Sequence, residues 1–137
     1  MLDDLERQGY IKRLPVDTRK VLASLQLAQR DITVAKGMLG ENHDWAFSIA
    51  YNAILQAVRA LMFSHGYRPS GDYQHIAVVR FAELFLPQED VIAFDRMRRK
   101  RHITLYDTAG TVSEQEAQNA VERAERLVHE LEKMLDH

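Results

Sequence analysis

The sequence predicts an all-α protein, an antiparallel helical bundle of about five main helices. Apolar residues recur every three or four positions through most of the chain, and no segment alternates as a strand does. Only three Pro and six Gly interrupt the 137 residues, so long helices are permitted. Because no repeat or linker divides the chain, we expect one domain over residues 1–137. Residues 1–16 form an N-terminal arm, and residues 17–135 form a bundle resembling a four-helix bundle, with short connections.

The composition sets limits on the protein's class. Hydrophobic residues make up 46% and charged residues 28%, as in ordinary globular domains. The net charge of −2 argues against nucleic-acid binding over the whole surface, but it permits one local site. The absence of cysteine excludes disulfides, thiolate metal sites and a cysteine nucleophile. No apolar run approaches a membrane span, and the acidic N-terminus is unlike a signal peptide. We therefore expect a cytoplasmic protein without a membrane partner.

The first elements are a short helix and a long one. Residues 1–8 predict a short helix ended by Gly9, and the segment before Pro15 is expected to be extended. Asp17 is a favourable N-cap, and Gly40 a favourable end, for a long amphipathic helix. Its apolar residues keep the helical period and are Val21, Leu22, Leu25, Ala28, Ile32, Ala35 and Leu39.

The next two helices differ in how apolar they are. The helix starting near Asn42 or Asp44 carries apolar and small residues on nearly every side, which predicts the central, most buried helix. Gly66 is expected to stop it. Asp72 is expected to cap a further helix that ends before Pro87. The predicted inner stripe of that helix is Ile76, Val79, Ala82 and Phe85.

A basic helix follows, over about residues 88–106. No Gly or Pro interrupts it, and five of the six residues from Arg96 to Arg101 are basic. Interleaved apolar residues predict at least one buried side. A loop then leads to Ser113 and Glu116, which predict a capping box for the last helix.

The spacing within the basic helix indicates a candidate site. Arg98, His102 and Tyr106 are four residues apart and share one helical face. A guanidinium can hold a phosphate through two hydrogen bonds, and a nearby His or Tyr can exchange a proton during phosphodiester cleavage. The enzyme chemistry open to this set is metal-independent cleavage of RNA by its own 2′-hydroxyl. Phosphate binding without reaction, or a solvated basic face, fits the same spacing.

Other candidate sites are weaker. No Gly-rich phosphate loop or zinc motif is present, and no two histidines have metal-ligand spacing on one helix, so we expect neither metal nor cofactor. His75 is interpreted as a helix-start or packing residue. Tyr51 is interpreted as a core residue, with contact to the basic helix as the alternative.

Four segments together resemble the HEPN superfamily, small helical-bundle proteins of prokaryotic defence and toxin–antitoxin systems. They are residues 44–53, residues 60–69, residues 98–107 and the capped final helix, which together span roughly residues 17–135. The resemblance implies that two copies of the basic helix line a shared cleft in a homodimer. Many members of this superfamily are metal-independent ribonucleases.

The superfamily's signature is an Arg, then a polar residue, with a His four to six positions beyond the Arg. Arg101 matches the signature Arg and His102 the polar position, while Tyr106 replaces the terminal His. An alternative register from Arg96 to His102 places Met97 at the polar position. A phenol is a poor general base near neutral pH, so this replacement bears directly on catalysis.

The resemblance leads to specific expectations. Arg101, His102 and Tyr106 are the expected catalytic residues. The expected phosphate- or RNA-binding residues are Arg96, Arg98, Arg99 and Lys100. We expect the toxin-like, RNA-directed half of a two-component system, partnered by a small nucleotidyltransferase antitoxin.

Two alternatives remain open. The first is a non-catalytic module whose groove binds a nucleotide, RNA or a partner protein, and the second is a purely structural dimer. Pairing of the arginines with Asp95 or Asp107 would weaken the anion site.

Overall fold

The computed structural model describes residues 1–135 and confirms the all-α bundle. Residues 136 and 137, which the predicted domain includes, lie outside the described residues. Within the described range, the helices are α1 (Leu2–Arg7), α2 (Thr18–Met38), α3 (His43–Ser64), α4 (Gln74–Ala82), α5 (Gln88–His102) and α6 (Glu114–Leu135). A π-helical turn (Ile103–Asp107) follows α5, and two short strands, β1 (Ile11–Arg13) and β2 (Tyr67–Pro69), complete the fold.

The central helix α3 is the most buried element, as predicted. It packs along α2 and α6, and Ala46, Ala50, Ala53 and Ala57 are fully buried, so neighbouring backbones approach closely. By length and composition α3 could cross a membrane, but 72% of its apolar window is buried inside the bundle. Packing in the core therefore accounts for its apolar sequence.

Side chains cap the starts of α2 and α6, as predicted. The Asp17 carboxylate accepts a hydrogen bond from the backbone N–H of Arg19 at 2.9 Å, which caps α2. The capping box before α6 is also confirmed. The Glu116 N–H donates to Ser113 Oγ at 3.0 Å, and the Ser113 N–H donates to the Glu116 carboxylate at 3.2 Å. This hydrogen bond from the Ser113 N–H is the largest cause of the lowered pKa of Glu116.

The prediction for α4 was wrong at its start and correct for half of the inner stripe, since Val79 and Ala82 are buried. The helix begins at Gln74, and Asp72 does not cap it. Of the predicted inner stripe, Ile76 and Phe85 are only half-buried. The buried residues of α4 are Ala77, Val78, Val79, Phe81 and Ala82. A nine-residue helix has too few apolar positions for spacing to determine which side faces the core.

The expected extended segment before Pro15 is strand β1. It pairs antiparallel with β2, with Ile11 opposite Pro69, and Ile11 is 1% exposed. Sequence periodicity did not reveal these strands because three residues are too few to show alternation.

The basic helix ends earlier than predicted. Its α-helical part stops at His102, and Ile103–Asp107 forms the π-helical turn, so Tyr106 lies outside the regular helix. The loop that follows is tied to the start of α3. The Asp44 carboxylate accepts hydrogen bonds from the N–H groups of Gly110, at 2.6 Å, and Val112, at 3.3 Å.

Candidate anion-binding site

The basic end of α5 is held by the buried side of the same helix. Phe94 is fully buried, and its ring centroid lies 5.4 Å from that of Tyr51 on α3. Asp90 is 1% exposed and accepts hydrogen bonds from Arg123 at 2.8 Å and Arg126 at 2.7 Å. These contacts anchor α5 to both α3 and α6.

Carboxylates neutralise part of the basic segment. Asp95 pairs with Arg98 at 2.9 Å and lies 3.6 Å from the Arg99 guanidinium. Lys100 lies 3.5 Å from the carboxylate of Glu116. These pairs weaken the positive potential without removing it, because two carboxylates face the five basic residues of the segment.

The remaining cations of the segment are not paired with a carboxylate. Among residues 1–135, Arg96 and Arg101 form no ion pair with a carboxylate, and neither does Asp107 with a cation. Of the two acids considered as neutralising groups, only Asp95 acts in this way. The segment therefore retains capacity for an external anion.

His102 and Tyr106 lie together on an open surface. Their ring centroids are 5.0 Å apart at an interplanar angle of 45°, and Tyr106 is 68% exposed. The predicted proximity thus persists although the backbone becomes π-helical between them. Two adjacent exposed rings can stack on a base or approach a ribose hydroxyl.

Arg101 is directed toward the bundle. Its guanidinium carbon lies 5.4 Å from the centroid of the Tyr51 ring, and its Nε is buried without a hydrogen-bond partner among the described residues. In this part of the chain no hydrogen bond or ring contact joins Arg101 to His102 or Tyr106. Within one copy of the chain, Arg101 therefore faces the bundle, whereas the other two expected catalytic residues, His102 and Tyr106, lie on the surface.

Tyr51 does reach the basic helix, as the alternative interpretation held, and it also contacts His75. The Tyr51 hydroxyl lies 2.9 Å from His75 Nδ1, and the two ring centroids are 5.8 Å apart. Burial raises the pKa of Tyr51. The positive charges of Arg101 and Arg98 lower this pKa, but by less than burial raises it. The phenol is therefore protonated near neutral pH and can donate to Nδ1.

The surroundings of His75 favour the neutral imidazole. Burial is the main cause that lowers its pKa, followed by the positive charges of Arg101, Arg59 and Arg98. Two arrangements satisfy this hydrogen bond: the Tyr51 hydroxyl donates to Nδ1 and the ring proton is on Nε2, or Nδ1–H donates to the hydroxyl oxygen. His75 is the second residue of α4 and stacks on the Tyr51 ring, so its interpretation as a helix-start or packing residue is confirmed.

Arg59 was not among the predicted site residues. Its Nε is buried and has no hydrogen-bond partner within residues 1–135. The available signal was an arginine within the most apolar helix of the chain, where a charged side chain needs a partner.

The described residues offer no ready metal site. Across residues 1–135, no three His, Asp or Glu side chains are grouped closely enough to hold a metal ion.

The lowered pKa of His75 predicts a pH dependence of stability. In the unfolded chain the imidazole takes up a proton near pH 6.5, its usual value, whereas in the folded protein it does so only at lower pH. The free energy of unfolding should therefore fall as the pH falls below about 6.5. His75→Gln should make this fall shallower in urea unfolding curves recorded between about pH 7.5 and 5.5.

His129→Gln is the matched control, because His129 is exposed on α6. It should leave the pH dependence of the wild type unchanged. An identical slope for His75→Gln and the wild type would contradict the depressed pKa of His75.

Comparison with known proteins identifies the family. The family model described as HEPN domain matches residues 21–134. The crystal structure of TT1696 from Thermus thermophilus superposes with a TM-score of 0.70 at 20% identity, covering 83% of this chain and 97% of that one. At this identity the likeness shows a shared fold. No curated protein matches the sequence. Since the family model spans most of α2 through α6, the chain belongs to the HEPN domain family.

Proposed function

We propose that this HEPN protein is the toxin-like, RNA-directed component of a prokaryotic toxin–antitoxin or defence system, and that it cleaves RNA without a metal ion. The observation that carries the proposal is the exposed His102–Tyr106 ring pair at the end of a helix whose cations are only partly neutralised. RNA presents a phosphate and a 2′-hydroxyl together, and this surface has groups suited to both.

The binding roles follow from exposure. Arg96 and Arg99 are exposed and suited to backbone phosphates, and Lys100 adds charge beside them. Arg98 is held by Asp95 and contributes less. Such contacts are electrostatic, so RNA binding should weaken as salt rises.

The reaction requires one proton carrier and one phosphate holder. His102 accepts the proton of the 2′-hydroxyl as that oxygen attacks phosphorus, and returns it to the 5′-oxygen whose bond to phosphorus breaks. The products are a 2′,3′-cyclic phosphate and a free 5′-hydroxyl. Tyr106 positions the phosphate by hydrogen bonding, and Arg101 stabilises the charge on its oxygens.

The proposed site lies in a groove shared by two copies of the chain. Within one copy Arg101 contacts Tyr51, whereas His102 contacts Tyr106, so a second copy is the simplest source of the missing half. Ile103 is 44% exposed beside the ring pair and adds apolar surface for such a contact. The proposed antitoxin is a small nucleotidyltransferase encoded by a neighbouring gene, which should copurify with this chain.

The proposal predicts cleavage of a mixed RNA by the purified protein in excess chelator. His102→Ala should slow cleavage by about 10²-fold or more, the usual contribution of a general acid or base. The double variant Arg101→Ala, His102→Ala should abolish it. The measurement is gel analysis of RNA fragments together with detection of the cyclic phosphate end.

His129→Ala is the control, since it removes an exposed histidine from α6 and should leave cleavage unchanged. Cleavage that survives in the double variant would exclude this site. A folded, dimeric wild type that leaves RNA intact would exclude the ribonuclease.

A second candidate is a non-catalytic module that binds a nucleotide, RNA or a partner protein in the same groove. Tyr106 in place of the terminal His favours it, because a phenol is a poor general base near neutral pH. This candidate predicts saturable RNA or nucleotide binding without strand cleavage, reduced by replacing Arg96 and Arg99 with glutamine.

A further inference from the structure

We infer that Asp44, at the start of α3, is a positioning residue that holds Tyr106 beside His102. It acts through the loop of residues 108–112, whose backbone it binds, and it is distinct from the residues proposed to contact RNA. The consequence for RNA cleavage rests on the proposed function, whereas the position of the two rings can be measured without RNA.

The first argument is that two backbone N–H groups of the loop converge on one carboxylate. The Gly110 N–H donates to Asp44 Oδ2 at 2.6 Å, and the Val112 N–H donates to Oδ1 at 3.3 Å. Hydrogen bonds to an ionised acceptor are about twice as strong as neutral ones. Gly110 has a φ of +79°, which side chains rarely allow, so the backbone can turn at this point. Because both carboxylate oxygens are used, the loop is held in one orientation.

The second argument is that α3 does not need Asp44 as its cap. Asn42 is the N-cap residue, and its side chain accepts a hydrogen bond from the Trp45 N–H at 3.0 Å. A carboxylate in the first turn also interacts favourably with the helix dipole, but this effect requires no particular partner. The contact of Asp44 with a distant loop is therefore additional to what the start of the helix requires.

The third argument is that the same loop is joined to the π-helical turn after α5. The hydroxyl oxygens of Thr111 and Thr104 lie 2.9 Å apart, which is hydrogen-bonding distance. Thr111 lies between the two loop residues that Asp44 binds, and Thr104 is the buried residue of the turn, at 4% exposure. These contacts connect Asp44 to the segment that carries Tyr106.

The position of Tyr106 depends on its backbone more than on its own contacts. Its side chain is 68% exposed, and its ring lies 5.0 Å from that of His102 between centroids. The Thr108 N–H donates to the Ile103 carbonyl at 2.8 Å and closes the turn. Since π-helical geometry is rare in proteins, a tertiary contact is needed to favour it here. Asp44 supplies such a contact through the loop.

The test measures two properties of the free, isotope-labelled protein by NMR. They are the hydrogen exchange of the Gly110 and Val112 amides and the NOE between the rings of His102 and Tyr106. Asp44→Ala should speed exchange of both amides by about tenfold or more, as expected when a hydrogen bond to a charged group is lost. The ring NOE should fall below detection.

Two further variants calibrate this result. Asp44→Asn keeps one acceptor oxygen, so its exchange rates should lie between those of the wild type and Asp44→Ala. Glu41→Gln is the matched control, because it removes an exposed carboxylate that lies just before α3. It should leave both the exchange rates and the ring NOE unchanged.

Cleavage of RNA in excess chelator supplies the functional measurement. Asp44→Ala should lower kcat by about tenfold or more, because misplacement of a reacting group slows the chemical step. KM should stay close to the wild-type value, since the exposed Arg96 and Arg99 still bind the phosphates. Glu41→Gln should cleave RNA as the wild type does.

Three outcomes would overturn the inference. Unchanged amide exchange in Asp44→Ala would show that the loop does not depend on this carboxylate. Faster exchange with an intact ring NOE would show that the loop does not position Tyr106. A lost NOE with unchanged kcat would remove the role in cleavage. If the wild type leaves RNA intact, the ribonuclease proposal fails, and the exchange and NOE measurements still decide whether Asp44 positions the rings.

Circular dichroism and thermal unfolding establish that each variant is folded. If Asp44→Ala does not fold, Thr111→Val takes its place, because it removes the hydrogen bond to Thr104 and leaves Asp44 intact. The ring NOE should weaken in this variant as well, and an unchanged NOE would contradict the connection from the loop to Tyr106.

Discussion

Phe94→Ala should lower the free energy of unfolding by about 3–5 kcal/mol, the usual cost of removing a buried aromatic ring. The Phe94 side chain is surrounded by other side chains, with 0% of its surface accessible to solvent. It is also the point where α5 packs on the Tyr51 ring of α3, at 5.4 Å between centroids. The cavity left by alanine would lie between the basic helix and the central helix. Urea unfolding at pH 7.5, monitored by circular dichroism, measures the change.

Ile92→Ala is the control on the same helix, because Ile92 is 47% exposed. Its effect should stay within about 1 kcal/mol, since little apolar area returns to water. Similar losses for both variants would mean that α5 does not pack on α3 through Phe94. Because Phe94 supports Tyr51, the alanine variant should also broaden the His75 ring resonances.

Asp90→Ala should cost about 2–3 kcal/mol of stability. Its carboxylate side chain is 2% exposed and accepts from both Arg123 and Arg126. Removal of one partner of a buried pair leaves the other charges uncompensated. The expected loss is below the usual range because the two arginines are 36% and 45% exposed and can turn to water.

Glu89→Ala is the neighbouring control, since it removes an exposed carboxylate from the same first turn of α5. It should change stability by no more than about 0.5 kcal/mol. Asp90→Asn removes the charge but keeps the shape of the side chain. Its free energy of unfolding should therefore lie between those of the wild type and Asp90→Ala. A stability of Asp90→Ala equal to that of Glu89→Ala would show that the contact between α5 and α6 does not depend on this carboxylate.

The expected catalytic residues lie on two sides of one helix end. His102 and Tyr106 are exposed to solvent, whereas the Arg101 guanidinium is directed toward the bundle beside Tyr51.

Several features could be predicted from the sequence because they depend on neighbouring residues. The caps at Asp17 and at Ser113 with Glu116 involve contacts within three positions of the chain. The helical period of α2 and α6, and the uniformly apolar α3, likewise express local spacing and composition. The family resemblance also rests on the order of such segments.

Features that depend on packing were predicted poorly or missed. The pairing of β1 with β2 joins Ile11 to Pro69 across much of the chain, and the orientation of α4 depends on the helices around it. The change to π-helical geometry after His102 was also unforeseen, although the loop that follows is tied to Asp44 of α3.

The fold class, the central helix and the concentration of positive charge on α5 were predictable, because composition and spacing act over one or two helical turns. Which of those charges remain unpaired, and what they face, depends instead on tertiary packing. This packing placed Arg101 on Tyr51, and it brought His75 from α4 to the hydroxyl of the same tyrosine. Contacts between side chains on different helices depend on how the helices are rotated and spaced. That arrangement is set by the whole core, and no single segment of the sequence encodes it.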